Sequence, residues 1–196
     1  MSRAGRGLRG VLEAAGDSLS RLPRGAALGV VAGWLGLISW LSSWPAQGVT
    51  TQWSRGLTLN LGHAFLFGLL ALWCALCLPR TAARGLHGAS GSASSSAWPS
   101  LSVPVRVGLV LLVALFGLLD ETHQHLGGRG RDFSLFDVLT DATGAWCTLA
   151  IAAYLWRGGG SEGGLVVRLS GAAAACLVAA AFATWGPELW PGLGWL

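Results

Sequence analysis

Five runs of apolar side chains, each near the roughly 20 residues that cross a bilayer as a helix, constrain this chain more than any other feature. They fall at 26–44, 57–78, 103–119, 138–156 and 165–185. Inside each run the apolar residues are nearly unbroken, without the strict alternation of a half-buried strand or the stripe of a surface helix. A backbone surrounded by hydrocarbon must satisfy its own N–H and C=O groups, which a helix does within one segment. The expected fold class is therefore all-α, a polytopic transmembrane helical bundle. Charge agrees with this. Only 11% of the 196 residues are charged, against roughly 25% in a soluble domain, and mean hydropathy is positive.

All 13 basic residues are arginines, and the formal net charge is only +4. A nucleic-acid-binding chain gathers its arginines on a soluble face, and no polar stretch here is long enough to carry one, so no nucleic acid partner is expected. Membrane lipids are the partners the composition implies. The four cysteines, Cys74, Cys77, Cys147 and Cys176, lie inside apolar runs, where a thiol behaves as a small hydrophobe. Neither disulfides nor redox work is indicated, and the Cys74–Cys77 spacing lacks the second pair of a zinc site.

The polar segments divide the chain. Residues 1–25 form a basic amino-terminal segment in which Leu8, Val11, Leu12, Ala15, Leu19 and Leu22 recur at helical spacing beside Arg3, Arg6, Arg9, Arg21 and Arg24. This is the pattern of a helix lying on an anionic membrane surface, although Gly5, Gly7, Gly10 and Gly16 weaken it toward a disordered basic tail. The first run is too long for a signal-peptide core and is read as an uncleaved helix. Pro79 ends the second run, and the Ser-, Gly- and Ala-rich stretch 80–102 reads as a flexible linker. The third run stops at Asp120-Glu121, after which the chain is polar to Asp137. A fifth span at 165–185 lies in the carboxyl-terminal part, 157–196, beyond the four-helix domain at 26–156.

The arginines also orient the chain. Five lie before the first span, Arg80 and Arg84 lie between the second and third, and Arg157 follows the fourth, which places these segments in the cytoplasm. Arg55 alone stands against them on the other side, apart from Arg129 and Arg131, which sit among acids and read as their partners. The expectation is a multi-pass protein of the cell membrane with its amino terminus cytoplasmic and its carboxyl terminus outside.

Helix direction then brings distant residues to one end. The second span starts where the third ends and the fourth starts, so His63, Asp120, Glu121, Gln124, Arg131, Asp137 and Asp141 share the outer side. Asp120 and Gln124 are four apart on one helix face, as are Asp137 and Asp141. Gly144 continues the second stripe, where a small residue lets a neighbouring helix approach, a part open to Gly62 and Gly68 in the second span. Asp141 lies about one turn inside the membrane and so requires a partner or a wet cavity; Arg131 and His63 are the candidates. Plainer roles compete. Ser134 and Asp137 fit a capping box at a helix start, and His123 and His125 fit solvent-facing positions.

The segments Asp120-Glu121-Thr122-His123-Gln124 and Gly130-Arg131-Asp132-Phe133-Ser134-Leu135-Phe136-Asp137, continuing through Asp141 and Gly144, resemble the signature of the VanZ-like family of bacterial membrane proteins. His63-Ala64-Phe65-Leu66-Phe67-Gly68 is similar to that family's second-helix motif, and Leu41-Ser42-Ser43-Trp44-Pro45 to its first-helix ending. The likeness covers about four helices, residues 30–156, so the expected architecture is a four-helix VanZ-like core plus a fifth helix. Arg129 and Arg131 compete for the family's arginine position, and the spacing to Asp137 favours Arg131. The family's association with teicoplanin resistance implies a role in the cell envelope. The favoured function is binding the head group of an envelope lipid, a glycolipid or an amphiphilic glycopeptide antibiotic, with a phosphate on Arg131. Acid–base or divalent-metal-assisted catalysis is the second reading, for which no nucleophile elbow, zinc helix or phosphate loop is present. No cofactor and no metal ligand set is expected. A purely structural charge cluster is the third reading.

Overall fold

The computed structural model describes residues 7–44, 53–79, 99–127, 133–156 and 161–189. Six helices account for nearly all of them: α1 (Leu8–Ser20), α2 (Arg24–Ser42), α3 (Trp53–Leu76), α4 (Val103–Leu126), α5 (Leu135–Trp156) and α6 (Glu162–Leu189). All but α1 are long and apolar enough to cross a membrane. The protein is an all-α helical bundle with five candidate membrane spans.

The centre of the bundle is the pair α3 and α5, which run parallel with their starts at the same end. Helix α4 packs against α5, α6 against α5 and α3, and α2 against α3. Their seam is built from small residues. A methyl group added at Gly144 would run into the Ala64 carbonyl of α3, and one at Gly68 would lie 3.1 Å from the Gly144 carbonyl oxygen. Lipid tails are as apolar as leucine, so helices associate in a bilayer by close van der Waals packing, which glycine and alanine permit. Gly68 and Gly144 therefore fill the role expected of a small residue, whereas Gly62 has nothing within 4 Å and does not. Below the seam Phe67, Leu70, Ala71, Ala75, Ala145 and Leu149 form the buried core.

Several helix limits differ from expectation, with α3 starting at Trp53, α5 at Leu135 and α6 running to Leu189, and the end of α4 matters most to the site. Helix α4 does not end at the acids: it continues through Leu126, because Asp120, Glu121 and Gln124 turn inward onto neighbouring helices while Thr122, His123 and His125 face out. Polarity there marks a buried face of the helix and not its end. The amino-terminal segment is helical from Leu8, with Leu8 and Val11 exposed, Arg9 Nε bonded to Glu13 at 2.6 Å, and the Arg9 backbone N–H donating to Glu162 of α6. Arg3, Arg6, Pro45, Arg55's side chain, residues 80–98 of the linker, Arg129, Arg131, Asp132 and the tail from 190 lie outside what is described.

Candidate functional site

The antiparallel order of α3, α4 and α5 sets the start of α3, the end of α4 and the start of α5 at one end of the bundle, with the end of α2 beside them. Polar side chains from all four helices converge there. Ser42, in the last turn of α2, donates its Oγ–H to Asp120 Oδ2 at 2.6 Å, and Gln124 Nε2 donates to the same oxygen at 2.8 Å. Asp120 and Gln124 meet because residues four apart on a helix lie one above the other. All three side chains are buried. A carboxylate removed from water is costly unless its lone pairs are used, and two short donors on one oxygen supply that compensation.

Glu121, 2% exposed, reaches the start of α5, where its Oε2 accepts the Ser134 backbone N–H at 3.1 Å. Ser134 Oγ in turn accepts the Asp137 N–H at 3.2 Å. This is the expected N-cap with one change: in a capping box the side chain three residues on satisfies the cap residue's N–H, and here an acid from another helix does so. The cap of α5 and the last turns of α4 are thereby joined.

Deeper in, His63 of α3 sets its Nδ1 3.4 Å from Asp141 Oδ1 of α5. Asp141 is 1% exposed, and neither of these two buried atoms has a hydrogen-bond partner among the described residues. The separation exceeds the usual 2.7–3.2 Å of an N–H···O bond, so the contact is an ion-pair approach and not a closed hydrogen bond. The imidazole is steadied by stacking on Phe67, ring centroids 5.9 Å apart and planes within 10°. Asp141 Oδ2 faces Gly117 of α4, where an added methyl group would come within 2.8 Å of it. The carboxylate thus sits between three helices, and the charges of Asp137 and Glu121 also reach His63.

The structure brings together His63 with Asp141, and Asp120 with Gln124, and joins Glu121 to Ser134. Gly144 lies in the α3–α5 seam and not at the charges, and His123 and His125 are exposed. Of the two partners expected for Asp141, His63 is present and Arg131 lies outside the described residues. Among those residues no three His, Cys, Asp or Glu side chains converge as a metal set. Sequence reasoning missed Ser42, although a small polar residue closing an apolar run and standing in the first-helix motif was a usable signal. It also missed Asn60, whose Nδ2 donates to Thr184 Oγ1 of α6 at 3.1 Å.

Membrane-length helices whose interior closes on a buried carboxylate cluster at one end define an all-α, multi-pass membrane protein. Its kind can be stated more closely. Residues 26–157 match the VanZ/LLP1 family, and the chain belongs to that family. The match takes in α2 to α5, which carry every polar contact just described except the Asn60–Thr184 bond, and leaves α1 and α6 outside it. No curated protein and no solved structure matches the chain.

Proposed function

We propose that the polar end of the bundle faces outward and binds the head group of an envelope amphiphile, a lipid, a glycolipid or a lipid-bearing glycopeptide. The observation that carries this reading is the convergence of Ser42, His63, Asp120, Glu121, Gln124 and Asp141 from four helices at one end. Ionisable groups at membrane depth are expensive and mark functional sites by default. The arginine distribution supports the orientation, with the amino terminus cytoplasmic. The cluster presents carboxylates with His63 as their described basic neighbour, and the sequence supplies Arg129 and Arg131 in the segment joining α4 to α5. In this reading Arg131 meets a phosphate while the carboxylates and Gln124 take hydroxyl or amine donors.

Photo-crosslinking tests it, with phosphatidylglycerol carrying a diazirine in its head group. Labelling of the purified protein is expected to be lost in Arg131→Ala and reduced in Gln124→Leu, in samples that retain their folded fraction. Unchanged labelling in Arg131→Ala overturns the reading. Labelling that falls only in step with folded protein assigns the cluster a structural role instead.

The His63–Asp141 pair favours a second reading, acid–base chemistry on the bound amphiphile. A carboxylate at Nδ1 orients an imidazole so that Nε2 can exchange a proton with a substrate. Incubation of purified protein with total envelope lipid and mass spectrometry of the products tests this. Turnover that survives His63→Ala removes it.

A further inference from the structure

We infer that the apolar groove between α2, α3 and α4 is a binding site for one hydrocarbon chain of a membrane amphiphile. This rests on the head-group reading above and adds to it the part of the ligand that lies in the bilayer. The groove holds about 240 Å³ and is walled by Val31 and Leu35 of α2, Leu70 and Cys74 of α3, and Phe116 and Leu119 of α4.

Its occupant follows from depth and size. Every wall residue belongs to a candidate membrane span, and Leu112, Leu115 and Leu119 on its α4 side are 53%, 54% and 60% exposed, so hydrocarbon is what surrounds the opening. A groove of this small volume suits a single flexible hydrocarbon chain, the component of the bilayer that already surrounds its opening.

Its position ties it to the polar end. Helices α2 and α4 are bridged by the Ser42–Asp120 hydrogen bond, and the groove opens directly below. Leu119 precedes Asp120, Phe116 lies about one turn under it, and Leu35 about two turns under Ser42. A chain in the groove therefore carries its head to Ser42 and Asp120. The groove wall is also continuous with the ion pair, because the Phe116 ring lies 5.9 Å from Phe67, on which His63 stacks. An occupied groove supports that aromatic row from the lipid side.

The test uses the full chain in phosphatidylcholine vesicles, with phosphatidylglycerol bearing a diazirine either at the end of one acyl chain or in the head group, and adducts mapped by mass spectrometry. Chain-probe adducts are expected on 112–119 and on the Leu35 turn of α2. They should fall about tenfold in Leu35→Trp, which fills the groove at a cost in the overpacking range. Leu177→Trp, on the exposed face of α6, should leave them unchanged. Adducts spread equally over the exposed faces of α4 and α6, or unaffected by Leu35→Trp, overturn the inference. In a separate sample with a benzophenone amino acid in place of Leu115, a crosslinked band at twice the chain's mass overturns it in favour of a second copy. Arg131→Ala separates the two proposals: chain adducts that persist in the groove while head-probe adducts are unchanged in Arg131→Ala keep the chain site and remove the head-group reading.

Discussion

At Asp120 one carboxylate oxygen receives both the Ser42 hydroxyl and the Gln124 amide, and the two bonds have different worth. In water-soluble proteins a hydrogen bond to a charged group contributes about 1.5–3 kcal/mol. In a membrane the unfolded reference also finds partners, and measured interhelical couplings average about 0.6 and reach about 1.7 kcal/mol. The second scale applies to Ser42–Asp120, which links two helices. A double-mutant cycle of Ser42→Ala and Asp120→Asn in detergent unfolding is therefore expected to give about 0.6–1.7 kcal/mol, and a value near zero would contradict the contact. The glycines offer a sharper contrast. Gly144→Ala pushes a methyl into the Ala64 carbonyl, and roughly 1–3 kcal/mol of destabilisation is expected, the range for overpacking. Gly62→Ala meets nothing within 4 Å and gains up to about 1 kcal/mol of helix propensity. Thermal unfolding of the two variants side by side checks both signs.

Among the helices, α4 and α5 teach the most about what the sequence could reveal. The spans were legible because a run of apolar side chains admits few folds in a bilayer. The end of α4 was not, since Asp120 and Glu121 look like the end of the helix when only their polarity is weighed. Their spacing carried the correction. Asp120, Glu121 and Gln124 fall on one helical face and Thr122, His123 and His125 on the other, which is the period of a helix with a polar side to bury. The Ser134 cap was legible as a motif, while the use of Glu121 in place of a local acid was not, because it depends on which helix lies beside it. Likewise His63 was named as a partner for Asp141 from topology alone, but Ser42 needed the packing of α2. Ser134→Ala should cost about 1 kcal/mol, as the loss of an N-cap does, and Thr122→Ala should fall within about 0.5 kcal/mol of no change. Unfolding in detergent followed by tryptophan fluorescence measures both.

For the molecule as a whole the orientation has a direct experimental form. With the native cysteines replaced by serine, a cysteine at the exposed Thr122 is expected to react with a membrane-impermeant maleimide in intact cells, and one at the exposed Ser18 of α1 only after lysis. The reverse pattern would turn the polar end toward the cytoplasm. Helix α6 lies outside the family match yet packs on both central helices, through the Asn60–Thr184 bond and through Gly186 set against Phe136. It braces the start of α3 on the flank away from α2. The seam it helps hold has a metrological consequence. Because Gly144 bears on the Ala64 backbone and Gly68 on Gly144, the relative height of α3 and α5 is referenced to main-chain atoms, which do not relax as side chains do. A slip of one residue is about 1.5 Å, nearly half the His63–Asp141 separation of 3.4 Å. The seam is thus the datum from which the charge pair is gauged, and a single carbon added there should detune the pair without touching either charge.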